Sequence, residues 1–236
     1  MLKIKVAGLV VGIENNYRHI EFLSKDYITD EEPDFVVFAT GAEIEKERSV
    51  AEGEFSDAYL ESIVVYRKIA EELPRYDAFV FHGAVLSIDG KGYAFTARSG
   101  VGKTTHTRLL VGLLGERAFY VNGDKPIIRF IDGVPYAYGT PWRGKENYGT
   151  NTGVRLSGIV IVNRGAENYT KAPDSDAATS MLVTQMYVPK RNPLMAARAL
   201  SLCNKLIESV KLVDLFCNMN SDAPLATLGA FGIEIN

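Results

Sequence analysis

Apolar and polar positions along the chain predict short strands interspersed with a few amphipathic helices. The segment Leu2 to Ile13 is strand-like, and His19 to Leu23 is a second β-type run that follows the turn signal Glu14 to Asn16, so the two runs predict a hairpin. Phe35 to Phe38 predicts a short buried strand. The charged run Glu43 to Arg48 predicts a solvated loop or sheet edge.

A helix is predicted from Asp57 to about Leu73, because Ser56 is a plausible N-cap and Pro74 ends the pattern. Apolar residues recur within it at helical spacing. We therefore expect residues 1–75 to form a small α+β lobe packed on the rest of the chain, with no recognisable chemistry of its own.

The remaining residues, 76–236, predict a second, larger unit. Strands are expected at 78–88, 92–96, 118–121, 127–130, 134–138, 156–162 and 211–216, and helices at 105–114, 175–186 and 193–210. Asp222 is a candidate cap for a last short helix. The turn signal Asp89 to Gly92 joins the first two strands into a hairpin, which argues against the all-parallel sheet of common nucleotide folds.

Between the strand at 92–96 and the helix that follows lies a glycine-rich turn with a Lys-Thr pair. It matches the phosphate-loop pattern G-x-x-x-x-G-K-[ST], except that Ala97 replaces the first glycine. Backbone amides and the helix N-terminus would face the phosphates, while Lys103 neutralises charge and Thr104 holds Mg²⁺. The candidate phosphate-binding residues are Ser99, Gly100, Val101, Gly102, Lys103, Thr104 and Thr105. The alternative is a strand-to-helix loop that binds nothing.

Two further segments contain candidate site residues. Asp124 ends an apolar strand downstream of the phosphate loop, where Mg²⁺ and the attacking group are usually managed, or it is simply a turn aspartate. The segment Gly139 to Gly149 holds the only tryptophan. Its cations Arg143 and Lys145 are candidates for contacting a phosphoryl group or an anionic substrate; alternatively, Trp142 packs on the core and the cations face water.

Composition describes an ordinary globular chain of 236 residues, with 47% apolar and 23% charged residues. A net charge of -3 gives no electrostatic case for nucleic acid or an anionic membrane surface. The first residues lack the continuous apolar run and the small-residue cleavage site that are typical of a signal peptide, and no apolar run approaches about 18 residues, so a cytoplasmic location is expected. Cys203 and Cys217 are interpreted as small buried residues, and the three separated histidines give no evidence for zinc.

Several motifs in order resemble one known family. They are Val80-Phe-His82-Gly83-Ala84, Ser99 to Thr107, Asn122-Gly-Asp124-Lys125-Pro126 and Gly139-Thr-Pro-Trp142-Arg-Gly-Lys145. Together they resemble the serine kinase family related to the catalytic domain of HPr kinase/phosphorylase, which shares a fold group with the ATP-dependent phosphoenolpyruvate carboxykinases. The resemblance spans roughly 78–231. It implies an α/β fold with mixed, largely antiparallel sheets and a phosphate-loop helix, ATP and Mg²⁺ as ligands, and a possible homo-oligomer.

The resemblance also implies roles for individual residues. Ser99 to Thr105, Lys103 among them, would bind the β- and γ-phosphates, and Thr104 would hold Mg²⁺. Asp124 would be either a metal ligand or the base toward the acceptor hydroxyl, and His82 would lie beside the phosphate site unless it is a buried structural histidine. The bifunctional HPr enzyme has two adjacent acids at this strand end, whereas Asn122 to Asp124 supply one carboxylate, so forward kinase chemistry is favoured.

We therefore expect a Mg-ATP-dependent kinase that acts on an alcohol. The acceptor is a small-molecule hydroxyl, such as serine or a polyol, or a Ser or Thr of a peptide; some relatives phosphorylate peptides of lasso-peptide pathways. Decarboxylation is the least favoured reaction, because no segment matches the residues that handle phosphoenolpyruvate and carbon dioxide. The alternatives are a nucleotide-binding sensor without phosphotransfer and an interaction protein with an empty loop.

Overall fold

The computed structural model describes residues 1–235, which form an α/β protein with two β-sheets. The first sheet has three strands in the order β1 (Leu2–Val6), β2 (Leu9–Glu14) and β3 (Phe35–Phe38). The second contains, within the described residues, the strands β4 (Ala78–Val80), β5 (Ala84–Ile88), β6 (Lys91–Thr96), β7 (Ala118–Asn122), β8 (Ile127–Ile131), β9 (Val134–Tyr138), β10 (Gly153–Arg164), β11 (Tyr169–Lys171) and β12 (Lys211–Cys217).

Seven α-helices accompany these strands in residues 1–235. They are α1 (His19–Leu23), α2 (Gly41–Val50), α3 (Asp57–Glu72), α4 (Lys103–Leu114), α5 (Ser175–Gln185), α6 (Pro193–Ser209) and α7 (Ala223–Phe231). Among the described residues, none of these helices has the length and apolar character needed to cross a membrane.

The prediction of an N-terminal hairpin is wrong about its second strand, which was expected at residues 19–23. The chain already turns at Ala7 and Gly8, both with positive φ, so that β1 and β2 form the hairpin, while residues 19–23 are the helix α1. Strand β2 has β1 on one edge and β3 on the other, so neither edge of β2 is open to a third partner. Ile20 of α1 instead fills the core between this sheet and α3.

The loop predicted at Glu43 to Arg48 is also wrong, because these residues lie in helix α2. Thr40 and Glu43 form a capping box, in which the Thr40 side chain accepts from the Glu43 amide and the Glu43 carboxylate accepts from the Thr40 amide. Ion pairs from Glu43 to Lys68 (2.8 Å) and from Glu47 to Arg67 (2.8 Å) tie α2 to α3. The predicted helix α3 and its Ser56 cap are confirmed.

Helix α3 holds the N-terminal segment through a buried carboxylate. Glu61 is fully buried; its Oε1 accepts from the Asn16 amide (2.7 Å) and Nδ2 (2.8 Å), and its Oε2 accepts from the Tyr17 amide (3.1 Å). Both carboxylate oxygens are therefore committed as acceptors. This arrangement fixes the chain just before α1.

We expect Glu61→Gln to lower the free energy of unfolding by about 1–3 kcal/mol, the cost of a buried polar group without a partner. Either placement of the amide puts an NH₂ group against an N–H donor, since both oxygens of Glu61 accept. Urea unfolding measures the loss. The exposed Glu52→Gln is the control and should change stability by less than about 0.5 kcal/mol. Equal losses in the two variants would contradict the role given to Glu61.

The large sheet is mixed, as predicted, with the path β4-β8-β9-β10-β6-β5-β7 and with β12 paired to β10 and β11. Its parallel pairs are β6–β10 and β10–β12, and antiparallel pairs outnumber them. The predicted strand at 78–88 is two strands, because the chain leaves β4 and joins a different neighbour as β5. The remaining predicted strands and helices are present with small changes at their ends.

Helices cover both faces of this sheet. Helices α4 and α7 pack on one face around Phe95, Leu110 and Leu215, and α5 and α6 pack on the other around Ala94, Leu182 and Leu206. Cys203 and Cys217 are buried free thiols in these two cores, as predicted. A third core joins the small sheet and α3 to Ala78, Val80 and Ile127 and continues to Trp142, so it crosses the predicted boundary near residue 75.

Strands β6, β7, β10 and β12 all point the same way. Strands β6, β10 and β12 are directly parallel, and β7 shares their direction because both β6 and β7 are antiparallel to β5. Their carboxyl ends therefore meet at one edge of the sheet, which is where ligands bind in open α/β sheets. The phosphate loop follows β6 and Asp124 follows β7 at this edge.

Candidate functional site

A cavity of about 790 Å³ opens at this edge between the phosphate loop, the Trp142 segment and helix α3. Its volume lies within the range of small-molecule sites. Six of the residues predicted from the sequence line it: Ser99, Lys103, Thr104, Asp124, Arg143 and Lys145. The structure thus brings the phosphate loop, the strand-end carboxylate and the two candidate cations to one place.

The backbone of the phosphate loop explains its glycines. Gly100 (φ 73°) and Gly102 (φ 119°) are left-handed, a region that side chains with a Cβ rarely adopt, while no neighbouring atom crowds either position. Ala97, at the missing glycine position, is not among the residues with positive φ, so its methyl group is tolerated. The substitution that departs from the pattern therefore leaves the loop conformation intact.

Helix α4 begins directly after this loop, with Gly102 as N-cap and no side chain capping it. The amides of the first turn, Lys103 to Thr105, have no acceptor within the helix. They add to the positive end of the helix dipole, an arrangement that binds anions. Arg164 stabilises the loop from outside by donating from Nη2 to the Gly100 carbonyl (2.6 Å).

The carboxylate of Asp124 is presented by a buried asparagine. Asn122 is completely buried, and its Oδ1 accepts from the amides of Asp124 (2.8 Å) and Lys125 (2.7 Å). Its Nδ2 donates to the carbonyl (3.2 Å) and hydroxyl (3.1 Å) oxygens of Thr140. Asn122 is thus a structural residue that shapes the turn, and Asp124 is the carboxylate that this turn directs into the cavity.

We expect Asn122→Ala to lower the free energy of unfolding by about 2–4 kcal/mol, because it removes the acceptor for two amides and the donor to Thr140. The turn that holds Asp124 should also become less ordered, so we expect the activity of the variant to fall together with its free energy of unfolding. Chemical denaturation provides the measurement. Asn204→Ala, at an exposed position of α6, serves as the control, and a comparable loss there would remove the special role of Asn122.

Three basic side chains surround the Asp124 carboxylate. His82 Nε2 lies 3.3 Å from Oδ1 and Lys125 Nζ lies 3.6 Å from Oδ2. The positive charge of Lys103 is close enough to lower the pKa of Asp124. Burial acts to raise the pKa of Asp124, but the hydrogen bond from His82 and the charges of Lys125 and Lys103 outweigh it, so the net pKa is lowered. Asp124 is therefore an ionised acceptor at neutral pH.

His82 contacts Asp124 but is not among the residues that line the cavity, and its side chain is 48% exposed, so the alternative of a buried structural histidine is wrong. Burial lowers the pKa of the Lys103 ammonium, while Asp124 partly opposes this shift and Lys125 adds to it. Lys103 and Lys125 together exceed the single negative charge of Asp124, so this group of side chains has a net positive charge that attracts an anion.

The Trp142 segment closes the cavity against the N-terminal residues. Trp142 is buried, donates from Nε1 to the Ser62 carbonyl (3.2 Å) and packs on Tyr66, so it anchors the loop as the alternative interpretation held. Arg143 lines the cavity but donates from Nη2 to Asp26 Oδ2 (3.0 Å), which makes it partly a structural cation. Lys145 lines the same cavity and is exposed.

Gly144 lets this segment approach the carboxylate. Its φ is 75°, and a Cβ built there would lie 2.8 Å from the Asp124 Cβ. A side chain at this position would therefore displace Asp124. The sequence shows the glycine but not the contact.

Other lining residues escape prediction from the sequence. Lys125 belongs to a quoted motif without a role, and Thr107 contributes a buried hydroxyl that accepts from Tyr120 (3.0 Å). Tyr120 in turn stacks on Tyr148, with ring centroids 4.5 Å apart. Helix α3 contributes the opposite wall: Tyr59, Ser62, Ile63, Tyr66 and Arg67. Of these residues, only Lys125 could have been identified as a site residue from the sequence, because it follows Asp124 directly. The residues of α3 could not, because their pattern is that of an ordinary amphipathic helix.

No protein-family model matches the chain, and no curated protein matches its sequence. Among solved structures, the Hpr(Ser) kinase/phosphatase from Coxiella burnetii is similar over 55% of this chain and 97% of its own, with 11% sequence identity and a TM-score of 0.31. So low a TM-score leaves the assignment of function to the geometry of the chain itself.

Proposed function

We propose that the protein is a Mg-ATP-dependent kinase that transfers the γ-phosphate to an alcohol. One observation carries the proposal: a phosphate loop with left-handed glycines and a partly desolvated lysine opens into the same cavity as the ionised carboxylate of Asp124. A phosphate-binding loop alone would fit many activities. The carboxylate beside it supplies the group that a hydroxyl acceptor needs.

The loop amides and Lys103 bind the phosphate chain in this proposal. The first-turn amides of α4 would donate to the β- and γ-phosphate oxygens, and the Lys103 ammonium would offset the charge that develops on the bridging oxygen. Ser99 lines the cavity and Thr105 lies in the first turn of α4, and in this proposal both would donate to phosphate oxygens. Phosphoryl transfer depends mainly on such positioning and electrostatics.

The residues present suit Mg²⁺ better than a metal held by protein ligands alone. Within residues 1–235 no cluster of three or more His, Cys, Asp or Glu side chains is placed to hold an ion. Mg²⁺ is usually held by one or two protein oxygens together with phosphates and water. The Thr104 hydroxyl and Asp124 would provide those oxygens, and the bound ion would neutralise phosphate charge.

Asp124 orients the acceptor in the transfer step. The acceptor hydroxyl donates a hydrogen bond to the Asp124 carboxylate, and this hydrogen bond directs its oxygen at the γ-phosphorus. The new phosphorus–oxygen bond forms as the bond to the β–γ bridging oxygen breaks, ADP leaves, and the hydroxyl proton passes to the carboxylate. A low pKa suits this role, because proton transfer is late in a loose transition state.

The space beyond Asp124 accommodates the acceptor. It is lined by tyrosines and by Lys145, Lys125 and Arg67, and Arg143 is held by Asp26 at its rim. A small-molecule hydroxyl or the Ser or Thr of a peptide would fit this description. The paired Asp124 and His82 favour a kinase over a sensor that only binds nucleotide.

Transfer of labelled γ-phosphate into a cell extract tests the proposal. The purified full chain is incubated with Mg-ATP and extract, and the products are separated into small-molecule and protein fractions, with Lys103→Ala as the blank. Label in one fraction identifies the acceptor class. Mg-ATP binding without label or ADP release would establish a sensor instead, and no rise in melting temperature with Mg-ATP would mean that the loop is empty.

A further inference from the structure

A second cavity, of about 400 Å³, lies between helices α2 and α3 and the segment that follows α5. Its volume falls within the range of small-molecule sites. Within the part of the chain that the structure describes, it has one lining residue in common with the large cavity, Arg67 of α3. Arg67 Nη2 lies 2.8 Å from Oε1 of Glu47 in α2, which also lines the second cavity. A change in the second cavity therefore reaches the space for the acceptor through the Arg67 side chain.

The second cavity carries an excess of positive charge. Among the described residues, five cationic and three acidic side chains line it. Each acid already accepts from a neighbour in the cavity: Glu43 from Lys68, Glu47 from Arg67 and Glu71 from the Tyr187 hydroxyl. Within residues 1–235, Lys46 and Lys190 take part in no ion pair. The excess of two positive charges suits a ligand that carries two negative charges.

The arrangement of these two lysines favours a dicarboxylate. Lys46 belongs to α2 and Lys190 to the segment after α5, so the two ammonium groups come from different walls. Val50, Val64 and the ring of Tyr187 add apolar lining. A linear dicarboxylate has one charge at each end of an apolar stem, whereas phosphate concentrates its charge at one point and offers no apolar surface. The lining therefore fits an aliphatic dicarboxylate better than phosphate.

The wall that carries Lys190 also holds the backbone of His82. The His82 amide donates to the Gln185 carbonyl (2.6 Å), and the Tyr187 amide donates to the Val80 carbonyl (2.9 Å). The chain that leaves α5 thus runs beside the end of β4 before it lines the second cavity. A ligand bound to this wall therefore restrains the segment that holds the histidine next to the catalytic carboxylate. This is a second connection between the two cavities, in addition to the shared arginine.

We propose that the second cavity is a regulatory site for a small aliphatic dicarboxylate. Lys46 and Lys190 bind its two ends, and the negative charge added beside Glu47 attracts the Arg67 guanidinium. Arg67 then turns away from the space that accommodates the acceptor and toward the second cavity. Phosphate transfer slows as a result, because the acceptor space loses a cation. This regulatory effect rests on the proposed function, whereas binding of the dicarboxylate does not.

Calorimetry on the full chain, with glutarate as the probe, tests the binding site. We expect glutarate to bind, its uncharged diamide glutaramide not to bind, and a tenfold excess of inorganic phosphate not to displace glutarate. The double variant Lys46→Gln with Lys190→Gln should bind glutarate at least tenfold more weakly. Lys91→Gln, at the exposed start of β6, is the matched control and should keep the parental affinity. Lys103→Ala should also keep it, which distinguishes the second cavity from the phosphate site.

Two further measurements test the connection between the cavities. The fluorescence of Trp142, the only tryptophan, should change as glutarate binds, because its ring packs on Tyr66, the residue before Arg67. At saturating glutarate, the parent and Lys91→Gln should transfer labelled phosphate about fivefold more slowly than the double variant, the lower end of ordinary coupling between sites. Neither substituted lysine of the double variant lines the large cavity, so its own transfer should be unimpaired.

The outcomes separate this inference from the proposed function. Equal glutarate affinity in the parent and the double variant, or binding that disappears in Lys103→Ala, overturns the dicarboxylate site. Phosphate that displaces glutarate overturns the ligand class. Binding with unchanged Trp142 fluorescence and equal transfer rates in the parent and the double variant overturns the regulatory role. Absence of transfer in every chain overturns the proposed function, while calorimetry and fluorescence still decide whether the dicarboxylate binds and whether its binding reaches the large cavity.

Discussion

The Asp124→Asn variant is expected to bind Mg-ATP about as tightly as the parent chain and to transfer phosphate about 10²–10⁴-fold more slowly, the usual contribution of a positioned acid–base group. The amide is nearly isosteric, so the turn held by Asn122 should persist. Removing the negative charge also leaves Lys103 and Lys125 unopposed beside the phosphates. Any loss of a metal ligand is therefore offset by a more positive site.

Single-turnover transfer of labelled phosphate and calorimetric binding of Mg-ATP measure the two effects separately. Asp132→Asn is a matched control, because Asp132 is exposed in the β8–β9 turn with a positive φ that asparagine also tolerates. The control should behave as the parent in both measurements. Parental turnover in Asp124→Asn would remove the carboxylate from the reaction, whereas equal losses of binding and turnover would make it a nucleotide-binding residue only.

Local sequence signals account for the parts of the fold that were predicted correctly. The β5–β6 hairpin, the phosphate loop and α4 follow one another within 84–114, and turn residues and helical spacing are sufficient to identify them. Helix α2 could also have been found, because Thr40 and Glu43 have the spacing of a capping box. The charges that suggested a solvated loop are divided in this helix, because Glu43 and Glu47 pair with α3 while Glu45 and Lys46 are exposed.

The errors lie where distant segments decide the structure. Residues 19–23 are apolar enough for a strand, but β3, which pairs with β2 from more than twenty residues downstream, leaves that edge closed. Strand β10 enters the sheet between β9 and β6, a position that no local pattern specifies. The same applies to the site. The Ser62 carbonyl accepts a hydrogen bond from Trp142, which lies eighty residues later in the sequence, and this contact makes α3 a wall of the cavity.

Lys103 is expected to reduce the stability of the protein when no nucleotide is bound. Burial lowers the pKa of its ammonium from the ordinary value of 10.5, so the charged form is less favourable in the folded than in the unfolded chain. The cost is fully present below the lowered pKa. It disappears as the pH rises from the lowered pKa to the ordinary value, so this group makes stability increase with pH in that window.

Lys103→Met should therefore raise the melting temperature without nucleotide by about 2–4 °C, which corresponds to ~1 kcal/mol in a chain of this size. It should also abolish the stabilisation by Mg-ATP, which for the parent reaches about 2.7 kcal/mol at a nucleotide concentration of 100 Kd. Thermal unfolding with and without Mg-ATP measures both effects, and Lys91→Met at the exposed start of β6 should show neither. A nucleotide-dependent rise that survives in Lys103→Met would contradict the phosphate site. The opposite signs of the two effects would identify Lys103 as a residue kept for binding at the expense of stability.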